Sequence, residues 1–148
     1  MDIIVDIDGT LANITHRLHY IQQKPKNWDK FQSDEELKKD KVIEPVKLLV
    51  CGYSHFHNAR ILYCSGRIEK TRNTTEDWLV HNDLPDGVLY MRPAGDFRDD
   101  FVVKRELLAE MRKDGYNPQL VIEDRQSVID MWKKEGIMVL AVNGGADF

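Results

Sequence analysis

Five short apolar runs recur along the chain, and each of the first four stops at or just before a polar or turn residue. The runs are Ile3-Ile4-Val5, Ala59 to Tyr63, Val88 to Met91, Leu120-Val121-Ile122 and Ile137 to Val142. The stops are Asp6, Ser65, Arg92 and Asp124. Short unbroken apolar runs suit strands covered on both faces, and longer helical patterns separate them. That alternation predicts a parallel α/β sheet. Ligands of such open sheets bind beyond the carboxyl ends of the strands, so the four stops are expected to converge on one site.

The intervening segments carry helix signals. Glu44-Pro45 puts a proline in a first turn, with Val46, Leu49, Val50 and Tyr53 following at helical spacing. Thr74-Thr75-Glu76 caps or opens a helix bearing Trp78 and Leu79. Asp100 precedes a helix with Val103, Leu107, Leu108 and Met111 on one face, ended by Gly115 with Pro118 beyond. Gln126-Ser127 opens another through Val128, Met131 and Trp132, closed by Gly136. The stretch over 11–41 breaks this rhythm. It is polar, dotted with Tyr20, Trp28 and Phe31, and too long for a strand-to-helix connection. It is expected to be a small, mostly helical cap insertion after the first strand, roofing the site. With no repeat or linker, residues 1–148 read as a single domain.

Composition narrows the function classes. Hydrophobic residues make up 42% and charged residues 31%, the balance of a soluble globular protein. No apolar run approaches the roughly 18–20 residues that cross a bilayer. The opening MDIIVDIDGT lacks a basic region and a small-residue cleavage site, so no signal peptide and no membrane partner are expected. The expected location is the cytoplasm, of the host cell if the gene is carried by a phage. Cys51 and Cys64 lack metal-type spacing and read as two reduced thiols. A net charge of −4 argues against strong non-specific binding to duplex nucleic acid, though not against a local basic pocket for one strand end or nucleotide.

Four segments carry candidate chemistry. Asp6-Ile7-Asp8-Gly9-Thr10 follows the first strand, and Gly9 lets the chain turn tightly after two carboxylates. That suits a nucleophile beside a proton donor, although Asp and Gly also favour plain turns. Ser65-Gly66-Arg67 offers a hydroxyl, free backbone N–H groups and a planar fork of donors, the groups that orient a phosphoryl group. Lys104, at a helix start, can neutralise both a nucleophilic carboxylate and a substrate phosphate. Glu123-Asp124-Arg125 supplies hard oxygens at a strand end, suited to magnesium. Each segment alone also reads as a turn or a solvated charge. Together, in this order, they make a strong pattern.

The pattern resembles the haloacid dehalogenase superfamily of phosphatases, and within it the 3′-phosphatase domains of phage polynucleotide kinase–phosphatases. The shared residues are Asp6-Ile-Asp-Gly-Thr10, Ser65-Gly-Arg67 and Gly95-Asp-x-Arg98-x-Asp100-x-Val-Val-Lys104. They continue through Glu123-Asp124-Arg125, Val128-x-x-Met-Trp132 and a closing Asp147-Phe148. The resemblance implies a three-layer Rossmann-like fold with a five-stranded parallel sheet in the order 3-2-1-4-5. It implies Asp6 as nucleophile and Asp8 as general acid and base. Ser65 and Lys104 would hold the phosphoryl group, with Gly66, Arg67, Arg98, Asp100 and Arg17 on the substrate side. Mg2+ would sit on Asp6, the backbone carbonyl of Asp8 and Asp124. Glu123 stands where the most similar relatives carry aspartate and would support the site from a second layer.

The expected function is therefore Mg-dependent phosphomonoester hydrolysis through an aspartyl-phosphate, acting on nucleic-acid 3′-phosphate ends in DNA or RNA repair. A nucleoside monophosphate phosphatase of the 5′-nucleotidase type is the alternative, because substrate choice lies in the insertion and rim. A phospho-acceptor or Mg-binding module without turnover is the third reading, and Asp8 speaks against it. The chain contains no Gly-x-x-x-x-Gly-Lys-Ser/Thr phosphate loop, so a phosphatase module without a kinase half is expected.

Overall fold

Ile3, Ile4 and Val5 have no solvent exposure, because the strand they form is the middle of the sheet. In the computed structural model, which describes residues 1–146, this strand is β1 (Asp2–Val5). Next come β2 (Ala12–Asn13), a 3₁₀ turn over 15–17, α1 (His19–Gln22), α2 (Trp28–Phe31), α3 (Asp34–Leu37) and β3 (Lys41–Val42). Then follow α4 (Glu44–His57), β4 (Arg60–Ile68), α5 (Arg72–His81), β5 (Gly87–Arg92), α6 (Asp100–Lys113), β6 (Pro118–Arg125), α7 (Gln126–Lys134) and β7 (Met138–Ala146).

The main sheet is wholly parallel and runs β5-β4-β1-β6-β7, which in chain order of its five strands is 3-2-1-4-5. Alternate residues of its strands feed two cores. Ile3, Val5, Ile61, Tyr63 and Ile122 meet Val46, Val50, Trp78 and Leu79 of α4 and α5. Ile4, Leu62, Cys64 and Val121 meet Val103, Leu107, Met111 and Trp132 of α6 and α7 on the other face. Unbroken apolar runs are thus the period-2 pattern of two buried faces superposed.

The sheet is pinned at the amino end of β1. Asp2 takes two hydrogen bonds from Arg60, at 2.6 and 2.8 Å, and one from the Asn117 backbone N–H at 2.7 Å. At the opposite end the chain passes from β1 into a tight turn, and the backbone N–H groups of Thr10, Leu11 and Ala12 all converge on the Ile7 carbonyl. The segment between β1 and α4 is less helical than its sequence suggests. Its three four-residue helices are joined to a small antiparallel β2–β3 sheet, which anchors the segment's two ends together. Asn27 and Ser33 cap α2 and α3 with side-chain oxygens. The helix carrying Trp78 begins at Arg72, earlier than Thr74-Thr75-Glu76 indicates. Among the described residues no helix is long and apolar enough to cross a membrane.

Candidate active site

Asp6 is the first residue beyond β1, and its backbone N–H still bonds to Ile122 of β6 at 3.0 Å. Its carboxylate is 3% exposed overall and gripped on both oxygens. Lys104 Nζ donates to Oδ1 at 2.7 Å, and Thr10 Oγ1 donates to Oδ2 at 2.9 Å. Lys104 also donates to Glu123 Oε2 at 2.9 Å and lies 3.6 Å from Asp100 Oδ2. Thr10 reaches Asp124 Oδ1 at 3.3 Å. Residues from β1, α6 and β6 thus meet at the carboxyl edge of the sheet.

Carboxylate oxygens of Asp6, Glu123 and Asp124 lie within 4.8 Å of one another, all in buried side chains. Burial pushes the Asp124 carboxyl up to about 6, with the Glu123 charge adding to it. Burial and Glu123 also push Asp6 well above the usual carboxylate range, and Lys104 opposes them. Lys104 itself is buried, which disfavours its charge, but Asp6, Glu123 and Asp100 outweigh that and hold the proton on. Three carboxylates around one ammonium leave a local excess of negative charge. A hard divalent cation fits that excess and the all-oxygen donor set. Glu123 is already fully engaged, since Oε1 accepts from the N–H groups of Asp124 and Arg125 at 3.2 and 3.3 Å. Its other oxygen also takes Trp132 Nε1 at 3.4 Å besides Lys104. That occupancy favours Asp6 and Asp124 as the groups that hold a cation, with Glu123 orienting Lys104.

A second cluster surrounds Asp8. Arg17 Nη2 donates to Asp8 Oδ1 at 2.8 Å, and Arg67 Nε donates to the same oxygen at 2.9 Å. Burial raises the Asp8 carboxyl, but Arg67 and Arg17 outweigh it and hold the group down to about 2. Both guanidiniums are buried, and both also bond to Asp40. Arg17 stacks on the Phe31 ring at 4.5 Å, and Arg67 lies over Trp78 at 5.9 Å.

Between the clusters opens a cavity of about 100 Å³. Asp6, Asp8, Lys104 and Asp124 form its charged floor. Ile14, Ile21, Trp28 and Phe31 form an apolar wall, and Arg92 and Arg125 stand on its lining. Two glycines allow the close approach. A methyl group on Gly9, whose φ is +86°, would run into the Asp124 carboxylate, and one on Gly66 would run into Asp100.

The family described as the polynucleotide kinase PNKP phosphatase domain matches residues 1–148. The chain belongs to that family. It is a phosphatase domain of the haloacid dehalogenase fold. A protein described as a bifunctional polynucleotide kinase/RNA ligase, from Autographa californica nuclear polyhedrosis virus, is 31% identical over 132 residues, 88% of this chain and 17% of that protein. A chain of the solved Pnkp1/Rnl/Hen1 complex is 27% identical with a TM-score of 0.79, over 99% of this chain and 47% of that one. A haloacid dehalogenase-like hydrolase from Streptococcus pneumoniae shares the fold at 13% identity and a TM-score of 0.70, over 97% and 85% of the two chains. The present chain therefore spans less than half the length of the first two relatives.

Within this phosphatase domain, most residues singled out in the sequence lie together. Asp6, Asp8, Gly66, Asp100, Lys104, Glu123 and Asp124 line the cavity, and Arg17 and Arg67 abut it through Asp8. Ser65 is fully buried within β4, which runs on to Ile68, and its hydroxyl accepts from the Arg67 N–H at 3.1 Å. Arg98 does not reach the cavity. Its guanidinium pairs on the surface with Asp96 and Glu106, each at 2.7 Å. Arg92 stands at the cavity in its stead, donating to the Gly66 carbonyl at 3.0 Å and to Asp100 Oδ1 at 3.2 Å. The strand-end rule points to Arg92, since the third apolar run stops there. Asp40 carried no local signal, because its partners lie far away in sequence. Asp147 and Phe148 lie outside the described residues.

Proposed function

We propose that this chain is a Mg2+-dependent polynucleotide 3′-phosphatase that works through phosphorylation of Asp6. One observation carries the reading: a buried carboxylate, held by Lys104 on one oxygen and Thr10 on the other, faces a small cavity beside Asp124. Such a group cannot drift, so its attack on phosphorus has little orientational entropy left to lose.

In the first step an Asp6 oxygen bonds to phosphorus while the bond from phosphorus to the sugar oxygen breaks, and Asp8 gives its proton to the departing alcohol. In the second, water bonds to phosphorus, the Asp6–phosphorus bond breaks, and Asp8 takes the water's proton. Asp8 as it stands, ionised between two arginines, suits the second step. The first needs its proton affinity raised, and an incoming phosphate dianion beside Asp8 does that by like-charge repulsion. Lys104 offsets repulsion between the Asp6 carboxylate and the dianion. Mg2+ held by Asp6, the Asp8 backbone carbonyl and Asp124 would supply further charge neutralisation at the phosphoryl oxygens. Arg92, Asp100 and the Ser65-Gly66 segment would orient the phosphoryl group.

Family membership supports a polynucleotide end as substrate. So does the likeness to a chain solved in an RNA repair complex, at 27% identity and a TM-score of 0.77. The setting would be nucleic-acid end repair in the cytoplasm of a host cell. The test is phosphate release from 3′-phosphorylated DNA and RNA oligonucleotides, 3′- and 5′-mononucleotides and sugar phosphates, with Mg2+ and with chelator. The expected order puts the 3′-phosphorylated oligonucleotides first, with no turnover in chelator or by Asp6→Asn. Preference for 5′-mononucleotides would replace this reading with the nucleotidase one, and full turnover by Asp6→Asn would end the mechanism.

A further inference from the structure

The cavity is too small for a whole nucleotide. At about 100 Å³ it falls below the roughly 300 Å³ at which sites enclosing small molecules begin, so it takes the phosphoryl end and leaves the rest at the mouth. What stands at the mouth is an unusual surface. Trp28 is 47% exposed, whereas its neighbours on the same wall, Ile14 and Phe31, are each 5% exposed. Trp78 and Trp132, at 5% and 0%, sit in the two cores as large apolar side chains ordinarily do.

The Trp28 indole is also held in place. Its ring meets Phe31 edge-on at 5.7 Å and 88°, and Phe31 carries the Arg17 guanidinium that bonds to Asp8. The Asn27 side chain caps the Lys30 N–H at 3.0 Å and fixes the start of the turn that bears Trp28. Lys26 Nζ lies 5.6 Å from the ring centre, a cation beside an aromatic face at the rim of a phosphate-handling cavity. Tyr20, another aromatic of the same insertion, does not line the cavity. It packs against the apolar core and its ring lies 3.9 Å from that of His19.

We infer that Trp28 is the stacking platform for the nucleobase of the 3′-terminal nucleotide, whose phosphate enters the cavity that Asp6 and Lys104 line. This rests on the 3′-phosphatase reading and names the subsite that reading lacks. Every base has a π-face and a sugar has none, so such a platform selects nucleotides over sugar phosphates without choosing among bases. One base stacked on an aromatic side chain is worth about 5- to 150-fold in binding.

The experiment compares kcat/KM for a 3′-phosphorylated oligonucleotide, the same strand with an abasic 3′-terminal residue, and an aryl phosphate. It uses wild type, Trp28→Phe and Trp28→Ala. The expected result is that losing the base costs the wild type about 5-fold or more, and that Trp28→Ala no longer distinguishes the two strands. Trp28→Phe should retain part of the discrimination. Tryptophan fluorescence should be quenched by the intact strand in wild type and not in Trp28→Phe, because the other two tryptophans are buried. Equal discrimination by wild type and Trp28→Ala would overturn the platform, as would an equal loss on the aryl phosphate. Turnover of the aryl phosphate with none of either strand would overturn the 3′-phosphatase reading itself, and the platform with it.

Discussion

Asp40 Oδ2 accepts a hydrogen bond from Arg67 Nη2 at 2.8 Å, and neither side chain meets solvent. The same oxygen takes Arg17 Nη2 at 2.7 Å, while Oδ1 takes Arg17 Nε at 2.9 Å and lies 2.7 Å from His16 Nε2. One carboxylate thus fixes both guanidiniums that grip Asp8. Asp40 touches no part of the cavity floor, so it acts by positioning.

Asp40→Asn should therefore lose both stability and rate. Removing one partner of a buried ion pair costs about 3–5 kcal/mol, and the asparagine amide would confront two guanidiniums it cannot neutralise. With the arginines re-aimed, kcat should drop by about 10- to 100-fold, as misplacement near a reacting group does. The pH profile should also move, since the arginines would hold Asp8 differently. Denaturant melts and pH–rate profiles check both. A destabilised variant with an unchanged kcat and pH profile would reduce Asp40 to a structural residue.

Asp8→Asn removes the proton shuttle and keeps the shape. Turnover should fall by about 100-fold or more. Mg2+ affinity should persist, because the ligand proposed from this residue is its backbone carbonyl. Stability should fall as well, for Arg17 and Arg67 would lose the anion they share. Calorimetry with Mg2+ and single-turnover rates separate these effects. Loss of metal binding would show that the side chain itself serves the ion.

The sheet was legible because burial on two faces leaves runs that only strands of a parallel sheet explain. Asp6, Lys104 and Asp124 were legible because they sit where strands end or a helix begins. The region from Leu11 to Val42 was less so. Its helices are four residues long and depend on Asn27 and Ser33 caps and on β2–β3 pairing, none of which leaves a hydrophobic period. Arg98 illustrates a different limit. Sequence pattern brought it to the phosphate, but carboxylates of Asp96 and Glu106 compete for the same guanidinium on the surface. Arg92, six residues earlier, is aimed inward by the Gly66 carbonyl, a contact that exists only once β4 and β5 have paired.

Proton and metal should compete at the acidic triad. The Asp124 carboxyl rises from its ordinary 3.8 to about 6 in the fold, chiefly through burial and then Glu123. A raised acid binds its proton more tightly when folded, so its stabilising contribution is full below the unfolded value and is lost as pH rises through the folded one. Asp6 shifts in the same direction. Metal-free protein should therefore lose stability between about pH 4 and pH 6.5 on account of these groups. Mg2+ should restore it, raising Tm more at about pH 7.5 than at about pH 5.5, where protons still occupy the carboxylates. Thermal melts at both pH values, with Mg2+ and with chelator, check this. A Mg2+ effect larger at the acidic pH would contradict the assignment of the triad.

Gly9 lets the turn after β1 lie directly against the Asp124 carboxylate. Its φ of +86° belongs to the region an L-residue enters at a cost of about 1–2 kcal/mol. The added Cβ would also occupy the space of Asp124 Oδ2, while the other oxygen, Oδ1, is tied to Thr10 at 3.3 Å, so the carboxylate as a whole must shift. Gly9→Ala should thus displace the carboxylate that is to hold the metal while leaving the Asp6–Lys104 pair intact. The expected outcome is a modest fall in stability measured in chelator, together with an increase of about 10-fold or more in the Mg2+ concentration needed for half-maximal rate, in line with disturbed support of a metal ligand. Saturating Mg2+ should recover much of the activity. A Gly9→Ala protein with normal Mg2+ dependence would mean that Asp124 does not serve the ion. One that saturating Mg2+ cannot rescue would mean that the turn positions Asp6 itself.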